Sequence, residues 1–189
     1  MQRGKIHKGE YGYIPYQRKV TVLWTVFLFA VSLSLFAIGI WSTGDKKNIL
    51  TMVAVLGCLP ASKSAVNMIL FLRVKGCSSV VWERVKTRSK DLPVLWDMVF
   101  TSYDKIYQIS HMAVKGKVAL GLTEDEHCSA EGCEKHLDIY LKQGGCKGVT
   151  IKIYQDVEKY CQALESLTGQ ADDGEQLEEI LENLIAITL

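Results

Sequence analysis

Two long apolar runs dominate the first third of the chain, and a different periodicity governs the rest. From Val20 to Trp41 the sequence reads VTVLWTVFLFAVSLSLFAIGIW, 22 residues without a charge. As a helix that run is about 33 Å long, enough to cross a hydrocarbon core of roughly 30 Å. Ile49 to Leu72 adds 24 residues, about 36 Å when helical. The short STGDKKN between them predicts a transmembrane hairpin over 20–72, with spans at 20–41 and 49–72. The first run is longer than a signal-peptide core and no small-residue cleavage site follows it, so an uncleaved span is expected.

Beyond Leu72 the apolar residues thin out. In SSVVWERVKTRSKDLP (78–93), Val81, Trp82 and Val85 share one helical face with cations around it, the pattern of a juxtamembrane helix within segment 73–93. LWDMVFTSY (95–103), KIYQISHMAV (105–114) and KVALGLT (117–123) are rich in strand formers and divided by turn-like Tyr103-Asp104 and Lys115-Gly116. A helix follows, capped by Ser129, with Cys133, Leu137, Tyr140 and Leu141 inward and Gly144-Gly145 ending it. VTIKIY (149–154) alternates strictly, as a half-buried strand does. Asp156 opens a helix with Val157, Tyr160, Cys161, Leu164 and Leu167 inward. After a polar hinge (168–174), an acidic helix closes the sequence, its aliphatic face suited to the domain's own core or to a partner.

The expected fold is therefore a membrane-anchored α+β protein. A basic segment (1–19), the hairpin (20–72) and the basic helix (73–93) precede a small cytoplasmic α/β domain (94–168) and the acidic helix (169–189). The order after the membrane is α-β-β-β-α-β-α-α, with a mostly antiparallel sheet.

Charge orients this arrangement. The formal net charge of +1 hides +4 over residues 1–19, +4 over 73–93, and eight lysines against seventeen acids over 94–189. Lysine and arginine concentrate on the cytoplasmic side of short loops, so both termini are expected in the cytoplasm. Tyr11, Tyr13, Tyr16 and Trp24 would form an inner aromatic collar and Trp41 an outer one. The exposed partner is then the bilayer, with Lys63, Trp82, Arg84, Lys86 and Arg88 at its anionic headgroups. Nucleic acid is not expected, because the basic runs flank apolar spans and adjoin an acidic domain. The six scattered cysteines suit a reducing compartment.

Within the second span, Pro60 predicts a kink, with Ser62 and Ser64 near the carbonyl it frees. Lys63 lies about 13 Å from the inner end of the run, within snorkelling distance of headgroups. The first span offers no acid to pair with it. Gly57, Ala61 and Ala65 form a small-residue stripe for close helix packing, against the first span or a second copy.

Chemistry is sparse. His127, Cys128, Cys133 and His136 carry the donor atoms of a tetrahedral zinc site, zinc being the one candidate cofactor. The competing reading places Cys133 in its helix's apolar stripe. No phosphate-cradling glycine loop occurs.

The α-β-β-β-α-β order resembles the core of restriction-endonuclease-like nucleases, which carry an acid on one strand and Glu-x-Lys on the next. KVALGLT has no such motif, so the resemblance implies at most a non-catalytic relative. Through LGCLPASKSAVNMILFLR the chain also resembles uncharacterised small two-span membrane proteins of Gram-positive anaerobes, which implies a bacterial cell membrane and no activity. The leading expectation is a non-enzymatic integral membrane protein displaying its cytoplasmic domain for binding or regulation, alone or as a homo-oligomer, with a cytoplasmic protein partner. A membrane-tethered hydrolytic or metal-dependent enzyme is the second, and a small channel or transporter subunit the third.

Overall fold

A computed structural model describes residues 6–43, 49–89, 92–103, 105–169 and 176–189. Expectations that fall on Arg3, Lys5, Asp45, Lys46, Lys47, Lys90, Asp91, Asp104 and Glu175 lie outside the described residues. The chain forms two compact units: Ile14–Lys75 is one, and the residues before Ile14 join Gly76–Leu189 in the other.

The first unit is an antiparallel pair, α1 (Tyr13–Thr43) and α2 (Ile49–Arg73). Both are long and apolar enough to cross a membrane. Their seam is polar and steps every seven residues. The Arg18 guanidinium donates to the carbonyls of Phe71 (3.0 Å) and Val74 (2.6 Å), capping the end of α2. That end carries the negative pole of the helix and unpaired carbonyls, both of which a cation satisfies. Seven residues on, the Thr25 and Ser64 hydroxyls are 2.8 Å apart. Seven further, Ser32 meets Gly57, where an added Cβ would stand 2.9 Å from the Ser32 Oγ. Ala54 and Ala61 are buried on the same side of α2. The large residues point away: Leu23, Phe27, Leu33, Met52, Leu56 and Leu59 are exposed.

α2 continues helically through Pro60. The serines expected to satisfy the carbonyl freed by that proline are engaged elsewhere. Ser62 donates to the Cys58 carbonyl at 2.7 Å, and Ser64 faces Thr25.

The second unit is built on a mixed four-stranded sheet of order β1-β2-β3-β4. β1 (Val94–Thr101), β2 (Ile106–Lys115) and β3 (Val118–Leu122) form an antiparallel meander, and β4 (Thr150–Tyr154) joins β3 in parallel. Parallel neighbours need a crossover, supplied here by α4 (Ala130–Gln143). α3 (Ser79–Arg88) precedes the sheet, and α5 (Val157–Thr168) and α6 (Leu177–Ile187) follow it. Ser129 and Asp156 cap α4 and α5 through their side chains, because exposed first-turn N–H groups need acceptors.

Helices cover both faces. Leu137 and Leu141 of α4 and Ile180 and Leu184 of α6 pack with Met98, Phe100 and Ile109. Val81 and Val85 of α3 and Tyr160, Leu164 and Leu167 of α5 pack with Trp96, Leu120 and Leu122. Full burial of each such side chain contributes roughly 1.5–3 kcal/mol. Two-sided cover explains why β1 and β2 read as near-continuous apolar runs. α6 thus closes its own domain's core, while Glu178, Glu179 and Glu182 face water. Tyr140, expected inward on α4, is 41% exposed, since it falls beside the Cys133-Leu137-Leu141 stripe rather than on it.

The sheet's alternation slips once. Leu95, Met98 and Phe100 face α4 and α6, but Trp96 faces α3 and α5. The slip falls at Asp97, whose φ of +53° is the one positive value among described residues other than glycine. Across the ladder, between the pairs Trp96↔His111 and Met98↔Ile109, stands Ser110.

The seam makes a testable claim. Thr25→Cys with Ser64→Cys, in a background lacking Cys58, should form a disulfide readily in membranes. Adding Gly57→Leu should lower its yield several-fold, because the helices can no longer approach; an unchanged yield would exclude the seam.

Candidate functional site

The segments on either side of the hairpin meet at the outer edge of β1. The Trp96 N–H donates to the Gly9 carbonyl at 2.7 Å, extending the sheet by a single bridge. Gly9 (φ +86°) passes so close to Leu95 that a Cβ would stand 2.9 Å from its Cδ2. One residue along β1, Asp97 turns its carboxylate to the incoming backbone. Its Oδ2 accepts from the Gly12 N–H at 2.8 Å and its Oδ1 from the Cys77 N–H at 2.7 Å. Asp97 is 3% exposed, and two N–H donors suit an ionised carboxylate with an oxygen for each.

A second carboxylate continues the set. Glu124 Oε2 accepts from the Ser78 N–H at 3.0 Å and from the Ser110 hydroxyl at 2.7 Å. Ser78 in turn caps α3. Tyr11 closes the site from the side, its ring centroid 5.0 Å from that of Trp82 and 5.9 Å from that of Trp96. Tyr11 therefore belongs to the α/β unit and not to an aromatic collar. Burial, with Glu124 and Asp97 beside it, pushes the Cys77 thiol well above its ordinary pKa. Such surroundings favour the protonated form of a thiol.

This chemistry is that of a clasp. Asp97 is the one acid on the four strands, and it is committed to backbone. Behind Trp96 lies His111, fully buried, its Nδ1 2.6 Å from the Tyr160 hydroxyl. Tyr160 donates to the Leu120 carbonyl at 3.3 Å. The His111 Nε2 has no hydrogen-bond partner among the described residues.

The residues singled out from the sequence are placed as follows. The proposed zinc set is not assembled: among the described residues no three His, Cys, Asp or Glu side chains converge on a metal position. Cys133 is fully buried and Cys128 nearly so, both in the α4 side of the core. Burial raises both thiols, so they act as small apolar groups. His127 is exposed, and His136 lies against Tyr107 and Tyr140 (5.5 and 4.7 Å between centroids), its pKa lowered by burial. The physical reason is helical phase: Cys133 points inward, where an exposed loop histidine cannot follow.

The α3 reading is also revised. Its Val81 and Val85 are spent on α5 rather than on lipid. Trp82 packs on Tyr11, with the Lys86 ammonium 4.2 Å from its ring centroid. Arg88 pairs with Glu165 at 3.3 Å, leaving Arg84 and Lys86 as exposed cations. Lys63 is exposed on α2. Gly57 and Ala61 face α1, and Ala65 is half-buried.

Comparison with protein families, curated proteins and solved structures gives no match.

Asp97→Asn keeps the left-handed backbone accessible, since asparagine tolerates it, but offers one carbonyl oxygen where two acceptors are needed. It should cost about 1–3 kcal/mol and speed amide exchange at Gly12 or Cys77; unchanged exchange at both would remove the clasp. A second outcome follows from His111, whose pKa burial lowers to about 3, against about 6.5 unfolded. Between those values only the unfolded chain takes up the proton. Stability is thus full above pH 6.5 and falls toward pH 3, by up to about 1.4 kcal/mol per unit. His111→Phe should flatten the urea midpoint's dependence on pH across that window relative to the parent protein.

Proposed function

We propose that the protein is an integral membrane protein whose hairpin spans the bilayer and holds the α/β unit at the cytoplasmic face, as a non-enzymatic module for binding or regulation. The inverted polarity of the hairpin carries this reading. Thr21, Thr25 and Ser32 are buried, while Leu23 is 73% exposed, Met52 70% and Leu59 68%. In water such a pair would bury its aliphatic side; in hydrocarbon, hydroxyls turn inward and aliphatics outward. An exposed apolar surface this long is not a feature of soluble monomers.

Orientation has separate support. Residues before Ile14 and residues after Lys75 share one compact unit, so both ends of a spanning hairpin lie on one side. The lysine and arginine bias favours the cytoplasm. The exposed cations Arg84 and Lys86 suit anionic headgroups at that face.

Two measurements test the proposal together. The chain should stay in the membrane pellet through alkaline carbonate extraction. A green fluorescent protein joined after Leu189 should fluoresce, while alkaline phosphatase at the same position stays inactive. Release by carbonate would overturn membrane insertion, and active phosphatase would overturn the orientation.

A further inference from the structure

Toward the Tyr13 end of α1 and the Arg73 end of α2 two hollows adjoin. One, of about 410 Å³, lies between α1 and α2 and is lined on its polar side by Gln17, Thr21, Ser64 and Asn67. The other, of about 390 Å³, is mostly apolar, formed by Val20, Leu23, Trp24 and Phe27. Val20 and Trp24 line both. We propose that this double hollow is a binding site for one anionic glycerophospholipid of the surrounding bilayer. Its headgroup and ester region would sit in the polar hollow, and one acyl chain along Val20, Leu23, Trp24 and Phe27. The assignment rests on the hairpin being in a membrane.

Three observations select this occupant. First, the side-chain amides of Gln17 and Asn67 have no hydrogen-bond partner among the described residues. Beside hydrocarbon an unmet amide is costly, and ester carbonyls and phosphate oxygens accept from N–H donors. The Thr21 and Ser64 hydroxyls are already engaged, with the Gln17 carbonyl and Thr25, which leaves the amides as the free donors. Second, charge is one-sided. Over 14–43 and 49–75 the chain has Arg18, Lys19, Lys63, Arg73 and Lys75 and no acid. Arg18 is spent on α2 carbonyls. Lys63, exposed and one turn from Asn67, has the stem to reach a phosphate. Third, the depth is right: Gln17 precedes the apolar run at Val20, and Asn67 lies six residues, about 9 Å along α2, from Arg73. Both amides thus fall where glycerol and phosphate lie.

The test uses the full chain in nanodiscs of phosphatidylglycerol and phosphatidylcholine at 1:4, released in native mass spectrometry. The parent protein should retain one phosphatidylglycerol per chain. Gln17→Leu with Asn67→Leu should lower that retention at least fivefold, and Lys63→Met should lower the preference for phosphatidylglycerol over phosphatidylcholine. Ser34→Ala, remote from the hollow, should leave both unchanged. Equal retention in parent and double variant, or equal retention of the two lipids by the parent, would overturn the site. A dimer in place of a lipid adduct would overturn it in favour of a second copy. Carbonate extraction of each variant separates the two readings: a chain released from membranes defeats insertion itself, whereas one retained without lipid defeats this site alone.

Discussion

A single carboxylate holds together three parts of this chain. Asp97 stands at a strand edge in a backbone conformation that non-glycine residues seldom adopt, and the strain is matched by what the turn achieves. It aims one oxygen at the backbone before the apolar hairpin and the other at the backbone after it. Backbone N–H groups withdrawn from water need acceptors, and Asp97 supplies them to the two partly buried ones, Gly12 and Cys77, that flank the hairpin. Around that pair of bonds the other parts find their places: Glu124 takes the next N–H, Ser78 starts α3, and Tyr11 lies between two tryptophans.

The hairpin solves the opposite problem. Small side chains and hydroxyls bring its two apolar helices into close approach. A seven-residue repeat of Arg18, Thr25 and Ser32 against Phe71, Ser64 and Gly57 provides this. Such a period keeps a seam facing its partner in a left-handed pair. Arg18 has a further consequence: its charge lies on carbonyls that α2 leaves open, so a basic residue of the flank is structural.

Much of this architecture was legible in the sequence. Run length revealed the two long helices, strict alternation revealed VTIKIY, and Ser129 and Asp156 marked helix starts because only short polar side chains cap there. The sheet was expected to be mostly antiparallel: β1, β2 and β3 pair so, and the parallel addition of β4 to β3 was not read from the sequence. What escaped had a common cause: one-dimensional pattern does not say which neighbour an apolar face meets. Val81 and Val85 suit lipid and protein core equally, and only α5 decides between them. Cys128 and Cys133 have ligand chemistry and core size at once. The clasp was missed because its members are distant in sequence, yet two signals were present: a lone acid within the apolar LWDMVF, and the paired glycines of GEYG, whose φ of +86° at Gly9 and Gly12 bends the backbone toward β1.

The outer edge of β1 bears on how the protein is made. Gly9 bonds Trp96, and Thr188 and Leu189 bond Val99, so this edge gathers strands from opposite ends of the described sequence. During synthesis Gly9 appears first, yet its partner emerges only after the entire hairpin has been made. The early segment therefore has to remain unpaired while α1 and α2 are made. Contacts this distant in sequence form late and slowly. Hairpin synthesis and sheet closure thus occur in a fixed temporal order, and β1 keeps open N–H and C=O groups at Val99 until Thr188 and Leu189 arrive. In that window an edge strand is most open to foreign pairing, and the last residues of α6 and beyond end it.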